Sequence, residues 1–226
     1  QYSIDARNIK NPIYPCPIQM GGKNANGQML SIGNYYLSLD GKPFFGICGE
    51  AHFSRINREL WEDEIIKMKA GGLNMIATYI FWIHHEEIEG TFDFSGNKDL
   101  RLFLELCKKN HMYVILRIGP FSHGECRNGG FPDWIYGQPF DIRCDDPSYL
   151  YYTRRFYEQI YQQAKGLLFK DNGPVIGVQL ENEHEHASCP WEMTTENSKE
   201  WVVSGHDGKN HMSTLKKIAK EVGFDV

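Results

Sequence analysis

The chain has 226 residues, a formal charge of -5 at neutral pH and 41% hydrophobic residues. That is enough apolar material for a packed core and too much for a disordered chain. A mild negative balance without a basic run speaks against a nucleic-acid partner, and no apolar run approaches the roughly 18 residues of a membrane span.

Residues 1–33 are rich in Asn, Gly, Pro and Gln and predict an irregular lead-in with room for a short strand. Residues 35–39 alternate and run into Asp40-Gly41-Lys42-Pro43, a turn signal. A hairpin is therefore expected into a first buried strand at residues 44–47. A helix follows over residues 59–70, with Leu60, Ile65, Ile66 and Met68 as its apolar stripe and Gly71-Gly72 as its stop. Residues 73–81 predict the second strand, and residues 82–94 a loop carrying His84, His85, Glu86 and Glu87. A helix over 99–109 begins at Asp99 and ends at Lys108-Lys109, as the helix dipole favours. Residues 112–118 are nearly all apolar and predict the third strand, followed by a long Gly-rich loop over 119–134. A long helix is expected over 147–169, the fourth strand over 173–183, and a last helix over 213–222. Phe224-Asp225-Val226 has the composition to open a fifth strand.

A strand followed by a helix, four times over, predicts an α/β chain with a parallel sheet. Long polar loops after the strands and short ones before them point to a (β/α)8 TIM barrel. A doubly wound nucleotide fold would need a phosphate turn after the first strand, and Gly46-Ile47-Cys48-Gly49 does not supply one. A complete barrel takes about 250 residues, so the chain is expected to cover the first four βα units of a longer protein.

The chemistry concentrates at the end of the fourth strand, where Glu181, Asn182 and Glu183 arrive as the apolar run stops. In such barrels active sites sit at this end. Strand alternation would put Glu181 and Glu183 on one face and Asn182 on the other.

The chain resembles glycoside hydrolase family 35, the β-galactosidases. The resemblance rests on Gly49-Glu50-Ala51-His52-Phe53-Ser54-Arg55, Ala77-Thr78-Tyr79-Ile80-Phe81-Trp82, Arg117-Ile118-Gly119-Pro120-Phe121, Gly129-Gly130-Phe131-Pro132-Asp133-Trp134 and the stretch from Gly173 to Glu183. It implies that residues 34–226 are the N-terminal part of a TIM-barrel glycosidase catalytic domain. It also implies a retaining exo-β-galactosidase acting on terminal β-linked galactose, with no cofactor and a carbohydrate as its partner. Glu183 would be the acid/base, the nucleophile would lie beyond this chain, and this chain alone would be inactive. Tyr79, Glu125, Asn182 and Glu50 would contact the sugar. An acid/base in this chemistry must hold a proton when the leaving oxygen departs, so Glu183 is expected to be buried or set beside a second carboxylate. Arg55 and Arg117 are candidates to hold carboxylates, or to form plain structural ion pairs.

The sequence departs from the family at His184, Ile83, Glu87 and in the 120–128 loop, which alters the pocket rim. Arg127 and His123 at that rim raise the expectation of a branched or acidic plant polysaccharide as ligand. Other retaining glycosidases of the same barrel clan, and an incomplete carbohydrate-binding fragment, stay open as alternatives. No metal is expected: His84-His85-Glu86-Glu87 and His184-Glu185-His186 hold ligand types, but neither is HExxH, and neighbours on an extended chain point opposite ways. Six cysteines without CxxC spacing exclude a zinc ribbon and leave 15 disulfide pairings open. The resemblance suggests a secreted or otherwise extracytoplasmic protein.

Overall fold

The computed structural model describes residue 2 and residues 12–15, 20–184 and 207–225. Among these, the chain forms two four-stranded sheets. The first is an antiparallel meander of β1 (Gly21–Lys23), β2 (Met29–Ile32), β3 (Leu37–Leu39) and β4 (Lys42–Phe44). The expected lead-in thus carries two strands. The hairpin forms around Asp40-Gly41, with Leu39 paired to Lys42.

The second sheet is parallel, in the order β5 (Cys48–Glu50), β6 (Met75–Tyr79), β7 (Tyr113–Gly119) and β8 (Val175–Leu180). Its first strand lies four residues later than expected. Lys42–Phe44 belongs to the meander, Phe45 and Ile47 are 82% and 43% exposed, and the barrel strand opens only at Cys48. Helices α1 (Trp61–Ala70), α3 (Leu100–Lys109), α4 (Pro147–Ala164) and α5 (Gly208–Val222) follow the four strands in turn, and α2 (Trp82–His85) is one turn inside the expected loop. This is a partial (β/α)8 barrel made of its first four βα units. Phe224 and Asp225 form no fifth strand.

Local signals explain the helix starts. Asp99 accepts from the Leu102 amide at 2.9 Å, and Asp146 accepts from the Ser148 amide at 2.8 Å with Pro147 just inside α4. Both satisfy amides that a helix N-terminus leaves unpaired. Helix α4 ends at Ala164 rather than 169, because Gly166 turns the chain with φ of 78° and Phe169–Asp171 forms a separate 3-10 turn.

The core lies between the sheet and its helices. Trp61, Phe53, Phe103, Ile76, Val114, Leu116 and Ile160 are fully buried or nearly so. Trp82 is core too, stacked on Phe156 at 4.7 Å with an interplanar angle of 4°. Two residues of the His84-His85-Glu86-Glu87 stretch, His85 and Glu86, are absorbed by this packing, whereas Glu87 is exposed. His85 is stacked on Phe94 and hydrogen-bonded to the Asp93 carbonyl, and burial pushes its pKa down to about 4. The buried Glu86 accepts from Trp82 Nε1 and the Gly90 amide, both at 2.7 Å, and pairs with Arg155. No helix among the described residues is long and apolar enough to cross a membrane.

Gly173 sets where β8 enters. A Cβ built there would lie 1.9 Å from the carbonyl carbon and oxygen of Leu167. Backbone cannot give way as a flexible side chain can, so Gly173→Ala should destabilise the protein by about 1–3 kcal/mol or more. Urea unfolding measures this, and an unchanged midpoint would show that the approach is not needed.

Candidate active site

The C-terminal edge of the parallel sheet gathers the polar residues. Strand β8 stops at Leu180, and Glu181 and Glu183 adopt left-handed backbone, with φ of 58° and 46°. The expected alternation therefore fails: it requires extended backbone through residue 183, and the chain turns at 181. Glu181 points into the protein and is 2% exposed, whereas Glu183 is exposed. The burial expected for Glu183 is not provided by the described residues.

Glu181 is held by Arg143, which is itself fully buried. Arg143 Nε and one terminal nitrogen reach the two Glu181 oxygens, each at 2.8 Å. The same terminal nitrogen donates to the carbonyls of Asn182 at 2.9 Å and Glu183 at 3.3 Å. The guanidinium also lies 3.7 Å over the Phe121 ring. Burial by itself would raise the Glu181 pKa. The neighbouring His184 ring, the hydrogen bonds and charge of Arg143 and the Asn182 amide outweigh it, and the pKa falls below the ordinary carboxylate value. The amide of Glu181 donates to the Gly119 carbonyl at 2.7 Å, which also accepts from the Tyr157 hydroxyl at 2.6 Å. The turn is therefore fixed from β7, α4 and the loop before α4.

Asn182 is oriented from the other side. Its Oδ1 accepts from the Tyr79 hydroxyl at 2.9 Å and from Arg117 at 2.9 Å. Gln179 Nε2 adds a longer contact at 3.4 Å, and three donors on one oxygen settle which way the amide faces. Its Nδ2 makes no hydrogen bond within the described residues and is left to donate to a ligand. Arg117 is the centre of this group. It pairs with Glu50, donates to Gln179 Oε1 at 3.1 Å and lies 3.6 Å over the Tyr79 ring. Of the two sequence readings of Arg117, carboxylate holder or structural pair, the geometry joins both in one residue. Burial raises the Tyr79 pKa to about 12, with the nearby Glu50, Glu183 and Glu125 adding to the rise and Arg117 opposing it. The phenol thus stays a hydrogen-bond donor at any ordinary pH. Glu125 is exposed, with φ of 48°, and its carbonyl accepts from Arg55 at 3.3 Å.

The structure thus brings Tyr79, Asn182 and Glu50 into contact through Arg117, with Glu125 and Glu183 exposed and close enough to act on the Tyr79 hydroxyl. His52 is a packed residue, its Nδ1 3.3 Å from the Tyr79 amide and its ring against Tyr79 and Phe81. Arg127 pairs with Asp133 and so adds no free positive charge at the rim. Sequence reasoning missed Arg143. No periodicity marks it, and the one available signal was indirect: a carboxylate ending a buried strand needs a cation or several donors beside it.

Glu181, His184 and His211 bring potential ligand atoms within 4.8 Å of one another. Glu181 already accepts two hydrogen bonds from Arg143 and one from the Asn182 amide, and His184 Nδ1 stands 3.8 Å away. His211 Nδ1 is 2.9 Å from Asp145 and its ring is 4.9 Å from that of His184. With a guanidinium supplying the positive charge, the group is a network that holds the turn and a poor place for a second cation. Residues 185 and 186 of the His-Glu-His stretch lie outside the described residues.

A parallel β/α sheet with an Asn-Glu pair, a tyrosine and further carboxylates at its C-terminal edge defines the TIM-barrel class of glycoside hydrolases. The sequence profile of glycosyl hydrolases family 35 matches residues 36–222, and the chain belongs to that family. It is 37% identical over 169 residues to a β-galactosidase of Xanthomonas manihotis, covering 74% of this chain and 28% of that protein. It is 39% identical over 167 residues to a β-galactosidase of Homo sapiens, covering 73% and 25%. The chain therefore spans about a quarter of the length of these curated relatives. Among solved structures, its fold is similar to an endo-1,4-β-mannanase from Rhizomucor miehei, with a TM-score of 0.59, 14% identity and coverage of 85% of this chain and 57% of that one. It is also similar to the exo-β-1,4-mannosidase Op5Man5 from Opitutaceae bacterium strain TAV5, with a TM-score of 0.57, 15% identity and coverage of 91% and 33%. At such identities the likeness extends to the barrel fold alone.

Arg143→Met should cost about 3–5 kcal/mol, because it strands a buried carboxylate. Arg143→Met with Glu181→Gln should recover part of that loss in urea unfolding. A depressed folded-state pKa means that the Glu181 contribution is complete above its ordinary value of 4.5 and is lost as pH falls below it. Glu181→Gln should accordingly flatten the acid limb of the stability-pH curve. An unchanged acid limb would show that the pair does not couple to folding.

Proposed function

We propose that the complete protein is a retaining exo-β-galactosidase and that residues 34–226 form the N-terminal part of its catalytic domain. The observation that carries this reading is the Asn182-Glu183 pair at the end of the fourth parallel strand, with Asn182 gripped by Tyr79 and Arg117. Family membership and the β-galactosidase relatives support galactose as the sugar.

In this reading Glu183 protonates the departing glycosidic oxygen while a second carboxylate attacks the sugar carbon, giving a covalent glycosyl-enzyme. Glu183 then takes a proton from the water that releases the sugar. Retention requires the two carboxyls to stand about 5–5.5 Å apart. The nucleophile is assigned to a Glu outside this chain, as the resemblance implies. A carboxylate arriving opposite Glu183 would also supply the enclosure that a protonated acid needs and that the described residues do not give it. Asn182 Nδ2 donates to a hydroxyl beside the reacting carbon, a bond that strengthens as charge develops. The Tyr79 hydroxyl, Glu50 and Glu125 complete the sugar contacts, with Arg117 holding Glu50 in place as an acceptor.

The test is release of the aryl group from a phenyl β-galactoside by the complete gene product. Glu183→Gln should lower kcat by about 10²–10⁴-fold, the range of general acid-base catalysis. Hydrolysis of phenyl β-mannoside or β-glucoside in preference to the galactoside would overturn the sugar assignment, and full activity of the variant would overturn the acid.

A further inference from the structure

A cleft of about 470 Å³ opens beside the site, and Glu125 lines it. That volume is within the roughly 300–1,000 Å³ of small-molecule clefts. Its walls are unusual for such a cleft. Arg55, Glu87, Glu125, Arg127 and Asp133 supply most of the lining, and Ile83 is one of few apolar contributors. Among the described residues no Phe, Tyr or Trp lines it, and His84 is its one ring. An aryl or lipid group would find neither a stacking platform nor an apolar wall there.

We propose that this cleft is the subsite for the leaving group, and that it takes an uncharged, hydroxyl-rich sugar held by hydrogen bonds, with Arg55 as its main donor. This rests on the β-galactosidase reading of the neighbouring site. Arg55 has no carboxylate partner among the described residues. Its guanidinium lies 4.3 Å over Phe81 and gives one hydrogen bond, to the Glu125 carbonyl. A guanidinium has five N–H donors, so most remain for a ligand. Arg127 is different, because Asp133 and its loop already engage it. Glu87 and Glu125 form no ion pair within the described residues and offer acceptors. A wall with both donors and acceptors suits hydroxyl groups, which both give and receive hydrogen bonds. Three carboxylates face two guanidinium groups, so the cleft is net negative at neutral pH. That disfavours a uronic acid and favours a neutral sugar over the acidic polysaccharide expected from Arg127 and His123.

The experiment compares kcat/KM of the complete gene product on a β-1,4-galactosyl disaccharide and on phenyl β-galactoside. Arg55→Ala should lower kcat/KM for the disaccharide about tenfold, mainly through KM, and change the aryl substrate no more than about twofold. Glu87→Ala, at an exposed position, should lower the disaccharide value by a few-fold in the same pattern. Equal losses on both substrates would overturn the proposal, since Arg55 would then act on the galactose site or on the fold. No loss on the disaccharide would overturn it as well. Calorimetry on the Glu183→Gln protein gives a reading that needs no turnover. The disaccharide should bind more tightly than free galactose, and Arg55→Ala should remove that advantage. Equal affinity for the two sugars overturns the subsite. Tighter disaccharide binding with no turnover by the native protein would leave the subsite standing and overturn the hydrolase reading instead.

Discussion

The buried pair between Arg143 and Glu181 is the constraint on which the site depends. A strand that stops at Leu180 and turns through left-handed backbone at Glu181 and Glu183 has little intrinsic reason to hold that shape. One guanidinium supplies the reason. It binds both oxygens of Glu181 and two successive carbonyls, so side chain and backbone are fixed from a single point. A pair of this kind contributes little net stability against an apolar substitute of equal shape. Its value here is geometric: with Glu181 pinned inward, Asn182 and Glu183 are delivered to the open end of the sheet.

A second cation completes the arrangement at the rim. Arg117 leaves β7 in register with Tyr79 on one side and Gln179 on the other, and it reaches Glu50 from β5. It therefore spans the ends of all four parallel strands. Beneath it β6 and β7 carry the apolar core, and above it the groups are polar and mutually hydrogen-bonded. The two arginines divide the work. Arg143 fixes the turn from below, and Arg117 sets the direction of the Asn182 amide from above, so that its oxygen is taken and its nitrogen is left to a ligand.

Much of this was legible in the sequence, and the failures have physical causes. Asn182 and Glu183 stood out because polar residues that end an apolar run mark the strand end where such barrels place their sites, whereas Tyr79 was pointed to as a site residue by the family resemblance alone. Asp99 marked its helix start for an equally local reason, whereas the Asp146 cap of α4 emerged only in the structure. The first strand was misplaced because Phe45 and Ile47 have strand-like side chains and yet are exposed here, with the barrel strand opening at Cys48. Alternation misjudged Glu181 and Glu183 because it assumes extended backbone, which no property of the residues guarantees at a strand end. Arg143 was invisible because its partners are 38 to 40 residues away, and only tertiary structure brings them together.

The most direct measurement is the leaving-group dependence of the first chemical step in the complete protein and in Glu183→Gln. A 2,4-dinitrophenolate leaves without help from an acid, whereas a phenolate needs a proton. Assignment of Glu183 as the acid predicts a near-native first step on the dinitrophenyl galactoside and a loss of about 10²–10⁴-fold on the phenyl galactoside. Equal losses on the two substrates would contradict it, because Glu183 would then act on binding or folding and not on the departing oxygen.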